Sequence, residues 1–157
     1  METKKIISVD LKRESHCIEL INLMDIYLRD EMGLGRPMPE EMKPKIIKGL
    51  KNHCAYLGFF VRVGNEYAAL ANCNLNFSTW QAKPLINIHD FIVAPDFRRK
   101  GVGIFLLEQI EKYARKKEYC RVNLEVRHDN FKAQNLYKKA GYKECCPPSY
   151  FWETRWR

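Results

Sequence analysis

Eleven residues in the second half of the chain, Val93-Ala94-Pro95-Asp96-Phe97-Arg98-Arg99-Lys100-Gly101-Val102-Gly103, do most to limit what it can fold into. An apolar run ends at Val93, a proline breaks it, three consecutive cations follow, and helical periodicity begins at Gly101. A strand that feeds a helix through so short a turn requires a sheet with a helix laid across one face. The first amides of a helix have no partners within it, and glycines let the backbone come close to a bound group. Free amides among three cations describe a cradle for a diphosphate. The competing phosphate motifs fail. No Gly-Lys-Ser/Thr follows, as it does in a P-loop, and position 106 is Leu where a dinucleotide-binding turn has its third glycine. Taken alone, a Gly-x-Gly turn also reads as a tight bend with solvated charges.

The flanking pattern supplies the rest of the sheet. Residues 5–9 read as a short strand. From Ser15 a helical stripe of Ile18, Ile21, Leu23, Ile26 and Tyr27 runs to the turn Gly33-Leu34-Gly35-Arg36-Pro37. A second helix spans 39–52, with Pro44 marking a break or a late start. Residues 55–63, 66–77 and 85–93 read as strands, the first two joined by the hairpin signal Gly64-Asn65. The helix from Gly101 shows Phe105, Leu106, Ile110, Tyr113 and Ala114 on one face, and a strand over 121–127 follows it. Asp129 or Asn130 caps a last helix through Ala140, and Gly141 stops it. Two closing strands, 142–146 and 150–155, flank Pro147-Pro148. The order β-α-α-β-β-β-α-β-α-β-β predicts an α/β chain with a mixed sheet and helices on its faces.

The 157 residues suit one domain, 1–157. No apolar run approaches the roughly 20 residues of a membrane helix, and the first residues lack the apolar core of a secretion signal, so a cytoplasmic protein is the expectation. Six cysteines without a Cys-x-x-Cys pair argue against zinc and read as thiols in a reducing compartment. The adjacent pair Cys145 and Cys146 leaves a soft-metal site or a vicinal disulfide as alternatives. Residues 1–83 carry 12 basic and 10 acidic side chains, residues 84–157 carry 15 and 9, so the excess of +8 sits mostly in the second half and points to an anionic partner there. Charge alone does not choose among a nucleic acid, an acidic protein and a small polyphosphate.

Arg98, Gly101 and Gly103 match Arg/Gln-x-x-Gly-x-Gly/Ala, the cofactor signature of the GNAT superfamily of N-acetyltransferases, which the sequence resembles. A second block, Asn130-Phe-Lys-Ala133-Gln-Asn-Leu136-Tyr137-Lys-Lys-Ala-Gly141-Tyr142, is similar to that family's Asn-x-x-Ala-x-x-Leu-Tyr-x-x-x-Gly-Phe. The resemblance is close over about residues 84–146. It implies a mostly antiparallel sheet that splays between its fourth and fifth strands and admits the pantetheine arm of acetyl-CoA. Main-chain groups of Phe91, Ile92 and Val93 would pair with pantetheine, while Arg98 and the amides of Arg99, Lys100, Gly101, Val102 and Gly103 would hold the diphosphate. Asn130 and Ala133 would line the pantetheine side.

Acetyl transfer to an amine needs a neutral nitrogen, a polarised carbonyl and a proton for the departing thiolate. An alkylammonium with a pKa near 10.4 is less than about one part in a thousand neutral at pH 7, so a base is required. The resemblance places the acid at Tyr137, whose other reading is a packing residue on the face of Ala133, Leu136 and Ala140. Glu125, 12 residues before Tyr137, is spaced like the Glu and Tyr of the ribosomal-protein alanine acetyltransferases; its bland reading is an ion pair with Arg127 or Arg121. His89 is similar in position to a histidine of the arylalkylamine acetyltransferases, and Asp90 is a third candidate. Tyr27, Met32, Phe77 and Trp80 would wall the acceptor, with Asp25, Asp30 and Glu31 attracting a cation or simply forming a solvated face. The resemblance is compatible with a homodimer through 150–156, whose aromatics otherwise simply complete the core. The rival functions are an acetyl-CoA sensor without turnover and a basic RNA-binding module.

Overall fold

The computed structural model describes residues 3–156; residues 1, 2 and 157, which the one-domain reading includes, lie outside the described residues. The elements are β1 (Lys4–Ser8), α1 (Glu14–Arg29), α2 (Met42–Asn52), β2 (Tyr56–Val63), β3 (Glu66–Ser78), β4 (Lys83–Val93), a single 3-10 turn at Pro95–Phe97, α3 (Val102–Lys116), β5 (Val122–Leu124) and α4 (Phe131–Lys139). The strands form one sheet in the order β1-β2-β3-β4-β5, antiparallel as far as β4. The helical crossover of α3 then lays β5 parallel to β4. Gly64 has φ +58, as the tight β2–β3 hairpin demands.

Period-2 alternation sends the two halves of each strand's side chains to opposite layers. Phe59, Val61, Ala69, Ala71, Ile86 and Ile88 pack with Leu106, Leu107 and Ile110 of α3 and Tyr137 of α4. Phe60, Leu70 and Ile92 pack on the other face with Leu20, Ile21 and Leu23 of α1. In β4 the alternation is interrupted. Asn72 of β3 is opposite Asp90 while its neighbour Cys73 is opposite Ile88, so His89 is an extra, bulged residue. Before the bulge Ile86 and Ile88 face the α3 layer; after it Phe91 and Val93 do, and Ile92 faces α1.

The pairing of β4 with β5 covers three residues a side, Ile86 to Val122, Asn87 to Asn123 and Ile88 to Leu124, pinned by an Asn87 Nδ2 to Asn123 Oδ1 bond of 3.0 Å. Beyond Ile88 the two chains part, which produces the expected splay and makes β5 shorter than the expected 121–127. Other differences have equally local causes. α2 starts at Met42, so Pro44 falls in its first turn, where a missing N–H costs nothing. Ile18 is 52% exposed, and Leu20 takes its place in the core. The two closing strands do not form: residues 143–156 have no regular structure. The aromatic rings there are 72–88% exposed, so no burial offsets the cost of ordering them, and two prolines remove ladder donors.

α4 is bounded as its sequence demands. The Asn130 side chain accepts from the Ala133 amide at 3.1 Å, and Gly141, at φ +89, lets Tyr142 N–H return to the Tyr137 carbonyl at 3.0 Å. Replacing Asn130 by Ala is expected to destabilise the protein by about 1 kcal/mol in urea unfolding.

Candidate active site

The basic turn has the geometry of an anion cradle. After the 3-10 turn, Arg99 and Gly101 take left-handed φ values of +58 and +74. The first backbone bond of α3 is Phe105 N–H to Gly101 C=O at 3.1 Å, and among the described residues the amides of 99–104 donate to no other backbone group. A Cβ at Gly101 would find only Lys4 Nζ near it, at 3.9 Å, so β1 adds a cation to this corner. A Cβ at Gly103 would meet Leu136 at 3.0 Å, so the smallest residue keeps α3 tight against α4 and β4. Lys100 Nζ sits 5.8 Å over the ring of Phe97.

Arg98 is used differently from its two neighbours. Its Nε donates to the Val93 carbonyl at 3.0 Å and its Nη2 to Asp30 Oδ2 at 3.0 Å, tying the end of β4 to the end of α1. The Met32 amide, and after it Arg98, hold Asp30 below the usual carboxylate range against the opposing effect of burial. A carboxylate lowered in the folded state stabilises fully above its unfolded pKa of about 3.9, and that contribution is lost as pH falls through the lower folded value. Between about pH 5 and 2 the Tm advantage of the wild type over Asp30→Asn should therefore shrink.

The opening between β4 and residues 125–127 is lined by charged and phenolic groups. Tyr137 is 9% exposed, its ring 5.9 Å from that of Phe91 and 6.1 Å from that of Tyr142. Burial foremost, then neighbouring Tyr27, pushes its hydroxyl up to about 12. Tyr27 is half-buried and is itself raised, by burial first, then by Asp90, with Arg127 opposing and Asp30 adding. Tyr137, Tyr27, Asp90 and Arg127 are thus near enough for their charges to act on one another. Arg127 makes a two-bond pair with Asp129 at 2.9 and 2.7 Å, which leaves Glu125 exposed and, among the described residues, without an ion pair to Arg127 or Arg121. His89 is exposed on the bulge. Asp90 is the candidate base that is held, its Oδ2 accepting from Asn72 Nδ2 at 3.0 Å.

The remaining expected site residues fall as follows. Phe91, Ile92 and Val93 run along β4 past its last pairing with β5. Asn130 Oδ1 is occupied in capping α4, and Ala133 packs beneath it against the core. Met32 lies in the α1–α2 connection, where its amide bonds Asp30 Oδ1 at 3.0 Å. Phe77 and Trp80 are 62% and 98% exposed. Asp25 is engaged structurally, accepting from the Met38 amide at 2.6 Å and from Arg29 at 2.8 Å. Lys4, Tyr56 and Asn72 were not anticipated. For Asn72 the signal was present as an amide side chain inside the apolar run 68–73 of a central strand, where a polar group needs a reason. Among the described residues the cysteines are free and no group of three metal-ligating side chains comes together. Nor is any described helix long and apolar enough to cross a membrane.

The model of the acetyltransferase (GNAT) family matches residues 20–142. The chain belongs to the GNAT family. It is 34% identical over 89 residues to an uncharacterized N-acetyltransferase of Methanocaldococcus jannaschii, a match covering 55% of this chain and 39% of that one. It is 30% identical over 86 residues to the streptothricin acetyltransferase of Streptomyces lavendulae, covering 55% and 44%. The matched segments thus span about two-fifths of these relatives. Among solved structures, an aminoglycoside N-acetyltransferase in complex with CoA superimposes with a TM-score of 0.76 at 13% identity, covering 100% of this chain and 97% of that one.

Proposed function

We propose that this GNAT chain transfers an acetyl group from acetyl-CoA to a primary amine by direct attack within a ternary complex. The observation that carries the reading is the run of unpartnered amides ahead of α3, set between cations at the mouth of the β4–β5 opening. The residues fit the substrate. Gly101 keeps the cradle free of a side chain, Arg99 and Lys100 flank it, and the main chain of Phe91 to Val93 borders a gap that has no β5 partner. The thioester supplies an acyl group activated toward amines. A backbone N–H of β4 beside the gap polarises its carbonyl.

The protons balance as follows. The acceptor ammonium loses one proton to a base, and its freed electron pair forms the N–C bond. As the C–S bond breaks, sulfur takes the electron pair and a proton from Tyr137. The acetylated nitrogen then gives up its second proton and restores the phenol, so one proton is released for each amide and thiol formed. With a hydroxyl at about 12 and a thiol of parent pKa near 8.5, full transfer runs uphill by roughly 3 to 4 pH units. Tyr137 therefore acts first as a hydrogen-bond donor to the emerging thiolate. Of the three candidate bases, Asp90 is the one fixed by a hydrogen bond, from Asn72, whereas Glu125 and His89 stand exposed.

The relatives suggest an amine acceptor such as streptothricin or an aminoglycoside, and the Asp90 carboxylate suits a cationic amine. A reducing cytoplasm fits the free thiols, and the exposed aromatic segment 150–156 is where a homodimer would form. Calorimetry with acetyl-CoA and a thiol-release assay with streptothricin, sisomicin, spermidine and lysine test the reading. Acetyl-CoA binding with amine-dependent thiol release supports it. Binding without release from any amine favours a sensor, and absence of binding removes the basis for either.

A further inference from the structure

Asn72 is, with His16 and Ser78, one of three buried polar side chains among the described residues, and it is 4% exposed. It stands in β3 directly opposite the bulge, in register with Asp90. Its amide is fully engaged. Nδ2 donates to Asp90 Oδ2 at 3.0 Å and to Met24 Sδ at 3.5 Å, and Oδ1 accepts from the Tyr56 hydroxyl at 2.9 Å. These partners leave the amide one orientation. Turned over, its oxygen would face a carboxylate and a thioether, neither of which has a proton to give, and its NH2 would displace the only O–H donor. Tyr56 remains a neutral hydroxyl, because burial raises its pKa, with Cys73 and Asp90 adding to the effect. Donor direction thus runs one way, from Tyr56 through Asn72 to Asp90, and the chain ties β2, β3, β4 and α1 together at the point where β4 leaves β5.

Resting on the acetyltransferase reading above, we propose that Asn72 and Tyr56 are positioning residues that hold the Asp90 carboxylate by Oδ2, leaving Oδ1 to take the proton of the acceptor ammonium. Among the described residues Oδ1 accepts no hydrogen bond. The proton moves from the ammonium nitrogen to Oδ1, and the N–H electron pair stays on nitrogen for attack. A carboxylate held at one oxygen by a rigid amide cannot rotate away from the cleft, and alignment of a base within hydrogen-bond reach is what general-base catalysis requires. The bulge makes the device work: it takes His89 out of the alternation, and were His89 held within the pleat Asp90 would face the α3 layer instead.

Asn72→Leu, nearly isosteric, and Tyr56→Phe, which removes one oxygen, test this alone and combined with Asp90→Asn. With acetyl-CoA and streptothricin, Asn72→Leu should lower kcat by about 10- to 100-fold and Tyr56→Phe by about 3- to 10-fold. KM for acetyl-CoA should stay within about two-fold, since neither residue touches the cradle. Neither change should lower turnover further in a chain already carrying Asp90→Asn, because residues acting through one group are not additive. Turnover of Asn72→Leu within about two-fold of wild type, or losses that multiply with Asp90→Asn, would overturn the proposal. A second measurement needs no acceptor. Three-bond couplings of the Asp90 β-protons should report one χ1 rotamer in wild type and averaging in both variants, and a single rotamer retained in both would overturn the assignment. If wild type binds acetyl-CoA yet acetylates none of the four amines, the acetyl-transfer reading fails for them while the couplings still judge the positioning. Should Asn72→Leu fail to fold, Tyr56→Phe carries both measurements.

Discussion

Tyr137→Phe is expected to reduce turnover by about 10²- to 10³-fold while acetyl-CoA affinity stays within about two-fold. The ring is held by Phe91 and Tyr142 and is nearly buried, so the phenylalanine keeps the packing and loses only the hydroxyl. Without that donor the thiolate must leave unassisted into a site from which water is largely displaced, where the missing hydrogen bond weighs most. Because burial holds the phenol protonated to about 12, loss of Tyr137 ionisation should not limit the wild-type rate at ordinary alkaline pH. A wild-type kcat that falls with an apparent pKa near 9 and loses that limb in Tyr137→Phe would contradict this environment. Unchanged turnover in Tyr137→Phe with the best acceptor of the four would remove the residue from the chemistry.

The second large effect concerns the turn. Replacing Arg99 and Lys100 together by alanine should weaken acetyl-CoA binding by about 100-fold in calorimetry, and the loss should shrink as salt is raised. The fold should be spared, since both side chains are exposed and the φ +58 at position 99 is no harder for alanine than for arginine. Arg98→Ala should behave differently. Its guanidinium joins the Val93 carbonyl to Asp30, so its removal should act on stability and on the approach of α1 to β4 more than on diphosphate affinity. Equal affinity losses from the two changes would put Arg98 back in the cradle.

The contrast among these three neighbouring cations shows where sequence reading stops. That a cradle exists at residues 98–103 follows from glycine spacing and helix periodicity, both of which are local. That Arg98 turns back to α1 depends on Asp30, 68 positions away, and no local pattern encodes it. The meander, the β4–α3–β5 crossover and the caps of α4 were legible because each is set by short-range signals: the Gly64-Asn65 hairpin, an apolar helical face, an Asn at the N-cap and a Gly beyond the C-terminus. The closing strands were misread for the opposite reason. Alternating aromatics between 150 and 156 satisfy strand periodicity, but a strand also needs a neighbour, and β5 pairs only three residues even with β4. In the candidate site, Tyr137 as the proposed acid was readable from its motif. Choosing among Glu125, His89 and Asp90 was not, because the choice turns on a one-residue bulge that shifts which strand residues face which layer. Asn72, buried opposite that bulge, was visible in the sequence as an anomaly without an explanation.

The bulge in β4 works like a frame correction in the pleat: it takes position 89 out of the alternation, so that Asp90 follows Ile88 as its next partner in register. A changed side chain there alters only an exposed group, and loss of the residue would leave Ile88 and Asp90 as consecutive partners of Cys73 and Asn72. Drawing residue 89 into the pleat would instead rotate every later residue of the strand by half a repeat. Phe91 would then trade the α3 layer for the α1 layer, and a carboxylate would be pressed into hydrocarbon. The strand's tolerance at this point is thus a matter of counting residues within the pleat, a number the bulge holds constant while the chain itself carries one more.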